Sequence, residues 1–303
     1  MGDGIFASPR LLIEKSSFVI RQIYQIVWVL YNDFMRLNFF FDIDGTLLPV
    51  GRPIPADAVK ALRHAQNLGH RLFLCTGRSP FELTDEVRVF PFDGGVFSAG
   101  ACIKAAGHTV FQGYITEAQK DYFFKVADEY GLLWILQSDD GSYTTQRAVD
   151  YYSGLCMAVH NRAIQFQGFH VVDGFPDGKP ISKLFILSDH GRVLEARKAL
   201  EGPFHSVNNT NGLPPESAAE LMSPDFSKAS GIRRMMDFLG EDMAGTVGVG
   251  DGENDVDMID ICNIGIAMGN ACDLLKQHAD YVTADIDAGG IARAVEYCLG
   301  RMG

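Results

Sequence analysis

Buried strands and amphipathic helices alternate along most of the chain. The apolar run Phe39–Phe41 predicts a buried strand, and apolar residues spaced three and four apart over 56–69 predict the helix that follows it. Further strands are predicted at RLFLC and GGVFSAG. From residue 228 the scheme returns, with the strands TVGVG, IGIAM and YVT each followed by a helical pattern. Such alternation predicts an α/β fold built on a doubly wound parallel sheet.

A segment in the middle interrupts this alternation. Residues 115–213 contain one helical pattern (EAQKDYFFKVADEYG), hairpin-like turns at DDGS and FPDG, and the strand KLFIL. These signals predict an α+β domain inserted into a core formed by residues 35–114 and 214–303. Residues 1–34 are expected to lie outside the fold. Their apolar stretch Phe18–Tyr31 is shorter than the ~20 residues of a membrane span and lacks the cleavage site of a signal peptide.

Composition narrows the class of partner. The 303 residues carry a formal net charge of -12 and a pI near 5.0, which argues against a nucleic-acid groove or an anionic membrane surface. The six cysteines show no CxxC pair and no zinc spacing. Free thiols in a reducing cytoplasm are therefore expected, the partner is expected to be a small molecule, and a homo-oligomer is left open.

Two aspartates follow the first strand directly, in FFFDIDGTLL. Alternation along a strand predicts that Asp42 and Asp44 point to the same side. Two like charges so close resist burial unless a cation lies between them or one holds a proton. A capped strand end would account for one aspartate but not for both, so this stretch predicts a site.

Four polar clusters fall at predicted strand ends, where ligands gather in parallel sheets. They are DIDGT, TGR, the pair Ser227–Lys228 and GDGEND. Taken singly, TGR could be a turn and Lys228 a solvated surface lysine. The run DGENDVD is similar to a calcium loop, but Val256 and Cys262 stand where an EF-hand requires Gly and Glu, so that reading is excluded.

Taken together and in this order, the four clusters resemble the haloacid dehalogenase superfamily. The insertion before the lysine, and the closing segments IAMGNA and DAGGIA, are similar to its Cof-type branch with a type IIB cap. The resemblance covers the chain from about residue 37 to the C-terminus. It implies a Rossmann-like core, an inserted cap that sets substrate specificity, and Mg²⁺-dependent phosphoryl transfer.

The resemblance also implies roles for single residues. Asp42 would be the nucleophile, Asp44 the acid and base, and Lys228 the cation that orients Asp42. Arg78 receives no role. The phosphoryl group would be bound by Thr76, Gly77 and Asn254. The metal would be bound by Asp42, the main-chain carbonyl of Asp44, Asp251 and Asp255.

Three functions remain open at this point. The first is a Mg²⁺-dependent phosphatase that hydrolyses a small phosphorylated metabolite, a sugar phosphate or cofactor phosphate, through an aspartyl-phosphate. The second is a sugar phosphomutase with the same core, and the third is a non-catalytic phosphate or sugar-phosphate sensor. One departure concerns the loop after the third strand, where Ser98–Ala101 reads Ser-Ala-Gly-Ala and the family often has Asn-Gly-Ala.

Overall fold

An eight-stranded sheet forms the larger layer of the protein, in a computed structural model that describes residues 36–49, 51–160, 169–208 and 212–301. The extension predicted for residues 1–34 lies outside the described residues. The strands run across the sheet in the order β14-β13-β12-β1-β2-β3-β4-β5. Their bounds are β1 Asn38–Phe41, β2 Arg71–Cys75, β3 Gly94–Phe97, β4 Cys102–Ala105, β5 His108–Gln112, β12 Thr246–Gly250, β13 Ile264–Ala267 and β14 Tyr281–Val282.

Helices accompany this sheet in the pattern that the sequence predicts. The helical spacing over 56–69 forms a helix whose buried residues are Ala58, Leu62 and Ala65. The bounds of the core helices are α1 Ala56–Asn67, α2 Asp85–Arg88, α6 Lys228–Leu239, α7 Val256–Ile261, α8 Asp273–His278 and α9 Gly290–Gly300. The predicted α/β fold is confirmed.

Six of the eight strands run parallel to one another, and the last two add an antiparallel hairpin beside β3. The pairs from β14 through β12, β1 and β2 to β3 are parallel. Strands β4 and β5 pair antiparallel at the edge and were not predicted. Their turn residues Ala106 and Gly107 have φ of 49° and 78°, but Ala-Gly lacks the Asn-Gly or Asp-Gly signal of such turns.

A second sheet of six strands lies within the chain between β5 and α6. Its order is β10-β11-β9-β6-β7-β8, and all pairs except β7 with β8 are antiparallel. We call residues 115–222, which hold this sheet and its helices, the insert. The bounds are α3 Glu117–Tyr130, β6 Leu133–Ser138, β7 Gly141–Thr144, α4 Gln146–His160, β8 Phe169–Val171, β9 Lys183–Leu187, α5 Val193–Leu200, β10 His205–Asn208 and β11 Ala218–Met222.

Of the two hairpin-like turns predicted in the insert, one forms a hairpin and the other does not. The DDGS turn joins the neighbours β6 and β7, whereas the FPDG turn precedes β9, which does not pair with β8. The second sheet also continues past residue 213, where the sequence pattern placed the return to the core. Strand β11 pairs with both β9 and β10, because the proline-rich turn at 213–215 connects two strands of one sheet.

The core and the insert each have hydrophobic clusters of their own. One large cluster packs β1 and β2 against α1 and α9, and a second packs the other face of the core sheet against α6. The insert has two apolar clusters of its own, one that contains Phe123, Leu136 and Ile186 and one that contains Tyr152 and Phe185. Within the described ranges, none of the helices has the length and apolar character needed to cross a membrane.

Candidate active site

Strand β1 lies in the middle of the core sheet, and Asp42 is the residue that directly follows it. Phe39, Phe40 and Phe41 are fully buried, because β1 lies between β2 and β12. The amide of Asp42 donates to the carbonyl of Val249 at 2.9 Å, so the main chain follows β12 for one residue beyond the strand. Asp42 therefore lies where the carboxyl ends of two parallel strands meet.

Three carboxylates converge at this edge of the sheet. One oxygen each from Asp42, Asp251 and Asp255 lies within 4.8 Å of the other two. Asp42 and Asp255 are buried, and Asp251 is partly buried. Because like charges at this separation destabilise each other's ionised forms, the cluster is stabilised by nearby positive charge.

Lys228 supplies positive charge from the first residue of α6. The helix starts there because the hydroxyl of Ser227 accepts a hydrogen bond from the amide of Ser230 at 3.1 Å. Lys228 Nζ donates to Oδ1 of Asp42 at 2.6 Å and to Oδ1 of Asp255. Since Lys228 is only 2% exposed, it is not the solvated surface lysine that its position alone allowed.

Burial changes the acidity of these groups. It raises the pKa of Asp42 well above the ordinary value, although the charge of Lys228 opposes this shift. It also raises the pKa of Asp251 to about 6. Burial by itself would lower the pKa of Lys228, but the carboxylates of Asp255 and Asp42 raise that pKa well above its usual range. Asp42 and Asp251 therefore favour a bound proton or cation, and Lys228 remains charged.

Asp255 fixes the loop that follows β12. Its Oδ2 accepts hydrogen bonds from the amides of Asp251 and Gly252 at 3.0 Å each, while its Oδ1 accepts from Lys228. A Cβ on Gly250 would lie 2.5 Å from Cγ of Asp255, so glycine is required for this close approach. Asp255 thus orients Asp251 and Lys228 at the same time.

The carboxylate of Asp44 is not among the three that converge in the described part of the chain. The strand ends at Phe41 and residues 43–48 turn, so the alternation that predicted a shared face for Asp42 and Asp44 does not extend this far. Arg78 binds the Asp44 carboxylate through two hydrogen bonds, Nε to Oδ2 at 2.8 Å and Nη2 to Oδ1 at 2.5 Å. Arg78, which received no role from the sequence, therefore belongs to the site.

Gly45 allows the turn after β1 to lie close to the loop after β12. Gly45 has φ of +83°, and a Cβ there would lie 2.2 Å from Oδ2 of Asp251. Thr46 Oγ1 donates to Oδ1 of Asp251 at 2.7 Å, and Asn270 Nδ2 donates to the carbonyl of Gly45 at 2.8 Å. Sequence reasoning gave Thr46 and Asn270 no role, although both stand in the quoted segments DIDGT and IAMGNA.

The loop after β2 reaches the same edge of the sheet. Thr76 is 1% exposed, and its Oγ1 accepts a hydrogen bond from the amide of Arg78 at 3.1 Å. Among the residues that the structure describes, no acceptor is found for the amide of Gly77, which leaves it suited to an anion. Asn254 lies in the short turn that follows β12.

The loop after β3 packs against Ser227, the residue before Lys228. Ser98 and Ala99 have φ of 48° and 50°, a left-handed region that asparagine tolerates better than alanine. Next to them, a Cβ on Gly100 would lie 2.1 Å from the carbonyl of Ser227. Ala99 therefore holds a backbone conformation that would suit the asparagine often found in this loop.

The donor set fits Mg²⁺. The cluster of Asp42, Asp251 and Asp255 consists of carboxylates alone, and Mg²⁺ prefers such hard oxygen ligands, usually one or two together with waters and phosphate oxygens. The raised pKa of Asp42 and Asp251 fits a site whose charge a cation would balance. Asp44 would contribute its main-chain carbonyl, which remains a prediction.

The chain belongs to the haloacid dehalogenase-like hydrolase family, whose sequence profile matches residues 39–295. The match spans the carboxylate cluster, Lys228 and the whole insert. It confirms the resemblance predicted from the four motifs, and with it the enzyme class, a phosphoric monoester hydrolase. The role of each single residue stays a prediction.

Relatives and solved structures agree with this family. The chain is 28% identical to the candidate phosphatase YkrA of Bacillus subtilis over 258 residues, which covers 85% of this chain and 95% of YkrA. It is 25% identical to the 5-amino-6-(5-phospho-D-ribitylamino)uracil phosphatase YwtE of the same organism, over 85% of this chain and 96% of YwtE. A solved phosphatase of the superfamily from Bacteroides thetaiotaomicron shares the fold, with a TM-score of 0.75, 23% identity, and coverage of 87% and 95%.

Proposed function

We propose that the protein is a Mg²⁺-dependent phosphatase that hydrolyses a small phosphorylated metabolite through an aspartyl-phosphate on Asp42. The observation that carries this proposal is the placement of buried Asp42 against Lys228, within 4.8 Å of two further carboxylates. A sugar phosphate or cofactor phosphate is the proposed substrate class, and the cytoplasm is the proposed location. The name of YwtE, which describes a phosphorylated ribityl compound as the substrate of that protein, supports this class.

The carboxylate of Asp42 is the proposed nucleophile. Its Oδ1 accepts from Lys228, so Oδ2 is the oxygen that attacks phosphorus while the bond to the leaving oxygen breaks. Lys228 neutralises part of the charge, and the hydroxyl of Thr76, the amide of Gly77 and the amide of Asn254 bind phosphoryl oxygens. Bound Mg²⁺ would add positive charge at the same oxygens; it would be held by Asp42, Asp251, the Asp44 carbonyl and a water on Asp255.

Asp44 is the proposed acid and base. Both of its oxygens accept from Arg78, so it first takes up a proton from water in place of one of these hydrogen bonds. It then gives that proton to the leaving alkoxide and removes a proton from the water that attacks the aspartyl-phosphate. This second attack breaks the bond between Oδ2 and phosphorus, releases phosphate and restores the Asp42 carboxylate. Arg78 positions Asp44 through its two hydrogen bonds.

The insert is proposed to act as the cap that covers the substrate. Its strand β9 contacts the loop after β2, where Lys183 Nζ donates to the carbonyl of Gly77 at 2.9 Å. A substrate whose phosphoryl group binds at Thr76 and Gly77 would therefore have the insert directly beside it. This placement favours small substrates that the two layers can enclose.

A panel of phosphorylated metabolites tests this function on the purified full chain with Mg²⁺. We expect phosphate release from at least one compound, and loss of that release in Asp42→Asn and after chelation. Asp260→Asn is the matched control, because Asp260 is an exposed carboxylate of the same acidic run that pairs with His278. Release that persists in Asp42→Asn or in chelator would contradict the mechanism, and isomerisation of a sugar phosphate without release would favour the phosphomutase.

A further inference from the structure

One cross-strand pair of the insert sheet, which we call the rung, places two polar side chains against the loop after β2. Gln137 of β6 and Lys183 of β9 are cross-strand partners, and both are buried, with 7% and 4% exposure. Gln137 Nε2 donates to both carboxylate oxygens of Glu82, at 2.9 and 2.8 Å. Lys183 Nζ donates to the carbonyl of Gly77 at 2.9 Å. The same rung therefore touches the loop at two points, only one of which adjoins the phosphate-binding residues.

Lys183 is also paired inside the insert. Its Nζ lies 2.7 Å from Oε2 of Glu220, and the two side chains are only 5% and 7% exposed. A buried ion pair gains little net stability over an apolar pair of the same size, because both charges lose their hydration. The stability of the insert therefore does not account for a lysine at this position, and its contact with Gly77 needs a separate reason.

That contact reaches Thr76 through a single peptide unit. The carbonyl of Gly77 and the amide of Arg78 belong to one planar, conjugated peptide group. The amide of Arg78 donates to Oγ1 of Thr76 at 3.1 Å. An ammonium on the carbonyl oxygen polarises the peptide and makes its N–H a stronger donor. The hydroxyl of Thr76, which accepts this bond, must then direct its own proton elsewhere.

We propose that Lys183 is a positioning residue that orients the hydroxyl of Thr76 toward a phosphoryl oxygen when the insert is docked. This inference rests on the proposed function only in that Thr76 binds phosphate. The chain of contacts runs from Lys183 Nζ to the Gly77 carbonyl, and from the Arg78 amide to Thr76 Oγ1. It couples the position of the insert to the phosphate site without any contact between Lys183 and the phosphate.

Gln137 offers a matched comparison, because it makes the other contact of the same rung. Its partner Glu82 accepts from the amide and hydroxyl of Ser79 at 2.7 and 2.9 Å, which do not lead to Thr76. Replacing either residue of the rung by methionine removes one contact between insert and core. Only Lys183→Met removes the polarisation of the peptide group that contains the Arg78 amide.

The test measures binding of inorganic phosphate to the full-length protein with Mg²⁺, by calorimetry, in a double-mutant cycle. The variants are Lys183→Met, Thr76→Val, the double variant and Gln137→Met. We expect Lys183→Met to weaken phosphate binding on the order of fivefold, since bonds to charged groups are the stronger ones, and Gln137→Met to weaken it less than twofold. In the Thr76→Val background, Lys183→Met should have no further effect.

Additive effects of Lys183→Met and Thr76→Val would overturn the inference, and so would equal effects of Lys183→Met and Gln137→Met. Because Lys183→Met leaves Glu220 without this partner, the cycle is repeated with Glu220→Gln present throughout, and Lys183→Arg should recover part of the phosphate affinity. Phosphate binding does not require turnover. If no compound of the panel is hydrolysed while the coupling is present, the proposed function fails and the positioning role stands.

Discussion

The core sheet and the insert each bury a lysine against carboxylates, and the two lysines differ in what their charge does. Lys228 lies among three carboxylates at the carboxyl ends of parallel strands, and directly contacts the proposed nucleophile. Lys183 pairs with a single glutamate within an antiparallel sheet and reaches the site only through a main-chain carbonyl. Similar burial of the same residue type therefore does not imply a similar role, and the groups at each ammonium decide it.

The largest expected difference between the two regions is in turnover. Lys228→Met should lower kcat by about 10²–10³-fold, because it removes a charge that stabilises the transferring phosphoryl group. Lys183→Met should lower kcat/KM only about fivefold, less than the direct loss of a hydrogen bond to a charged group, because its charge acts on the site through one peptide group. Steady-state kinetics on one substrate of the panel measures both values.

Measuring the stability of each variant distinguishes a loss of turnover from a loss of folding. Lys228→Met leaves Asp42 and Asp255 buried without their cation, a change that typically costs about 3–5 kcal/mol. Kinetics are therefore measured well below each variant's unfolding midpoint. Equal losses of turnover in the two variants would remove the distinction between a lysine at the reacting group and one that acts through Gly77.

A smaller effect is expected from the turn that follows β1. Gly45→Ala should destabilise the protein by more than the ~1–2 kcal/mol typical of a left-handed alanine, because its Cβ would lie 2.2 Å from Oδ2 of Asp251. It should also weaken Mg²⁺ binding, since Asp251 must move. Gly69→Ala is the matched control, because Gly69 has φ of +90° and nothing within 4 Å of its Cβ position. Equal unfolding free energies for the two variants would contradict the close approach of the two loops.

The smallest effect concerns pH and involves Asp251 of the core. Burial raises the pKa of Asp251 from 3.8 to about 6, so between these pH values the folded state holds more protons than the unfolded state. The contribution of this group to the unfolding free energy therefore falls as the pH rises through this window and is constant above it. Mg²⁺ requires the carboxylate, so its affinity should fall by about tenfold or more per pH unit below pH 6, because Asp42, whose pKa is also raised, must release a proton as well.

Calorimetric titration with Mg²⁺ at pH 5, 6 and 7 checks this dependence. Asp251→Asn should bind Mg²⁺ weakly at every pH and show a shallower slope than the wild type, whereas Asp260→Asn should behave like the wild type. An affinity that is the same at pH 5 and pH 7 would show that Asp251 does not exchange a proton for the metal.

The contrast between the core sheet and the insert also explains how much of the site could be predicted from the sequence. Asp42, Lys228 and Asp251 were predicted because each directly follows or precedes a strongly patterned strand or helix, and the ends of parallel strands meet at one edge. The structure brings these three together. The orientation of Asp44 could not be predicted, because the turn begins immediately after Asp42 and ends the strand alternation.

The contacts of the insert could not be predicted for a different reason. All five residues of β9 are buried, so no alternation of polar and apolar positions marks the face on which Lys183 meets the core. The partners Gln137 and Glu220 are distant in sequence and depend on strand pairing. The role of Arg78 was missed similarly, since its partner Asp44 lies 34 residues away in another loop.

The central claim, a phosphoryl group carried on Asp42, can be tested without knowing the substrate. An aspartyl-phosphate that forms from inorganic phosphate and is then hydrolysed exchanges the oxygens of phosphate with those of water. The full-length protein is incubated with Mg²⁺ and oxygen-18-labelled phosphate, and loss of label is followed by mass spectrometry. We predict that the wild type and Asp260→Asn lose label and that Asp42→Asn does not. Exchange that continues in Asp42→Asn, or its absence in the wild type, would contradict the account.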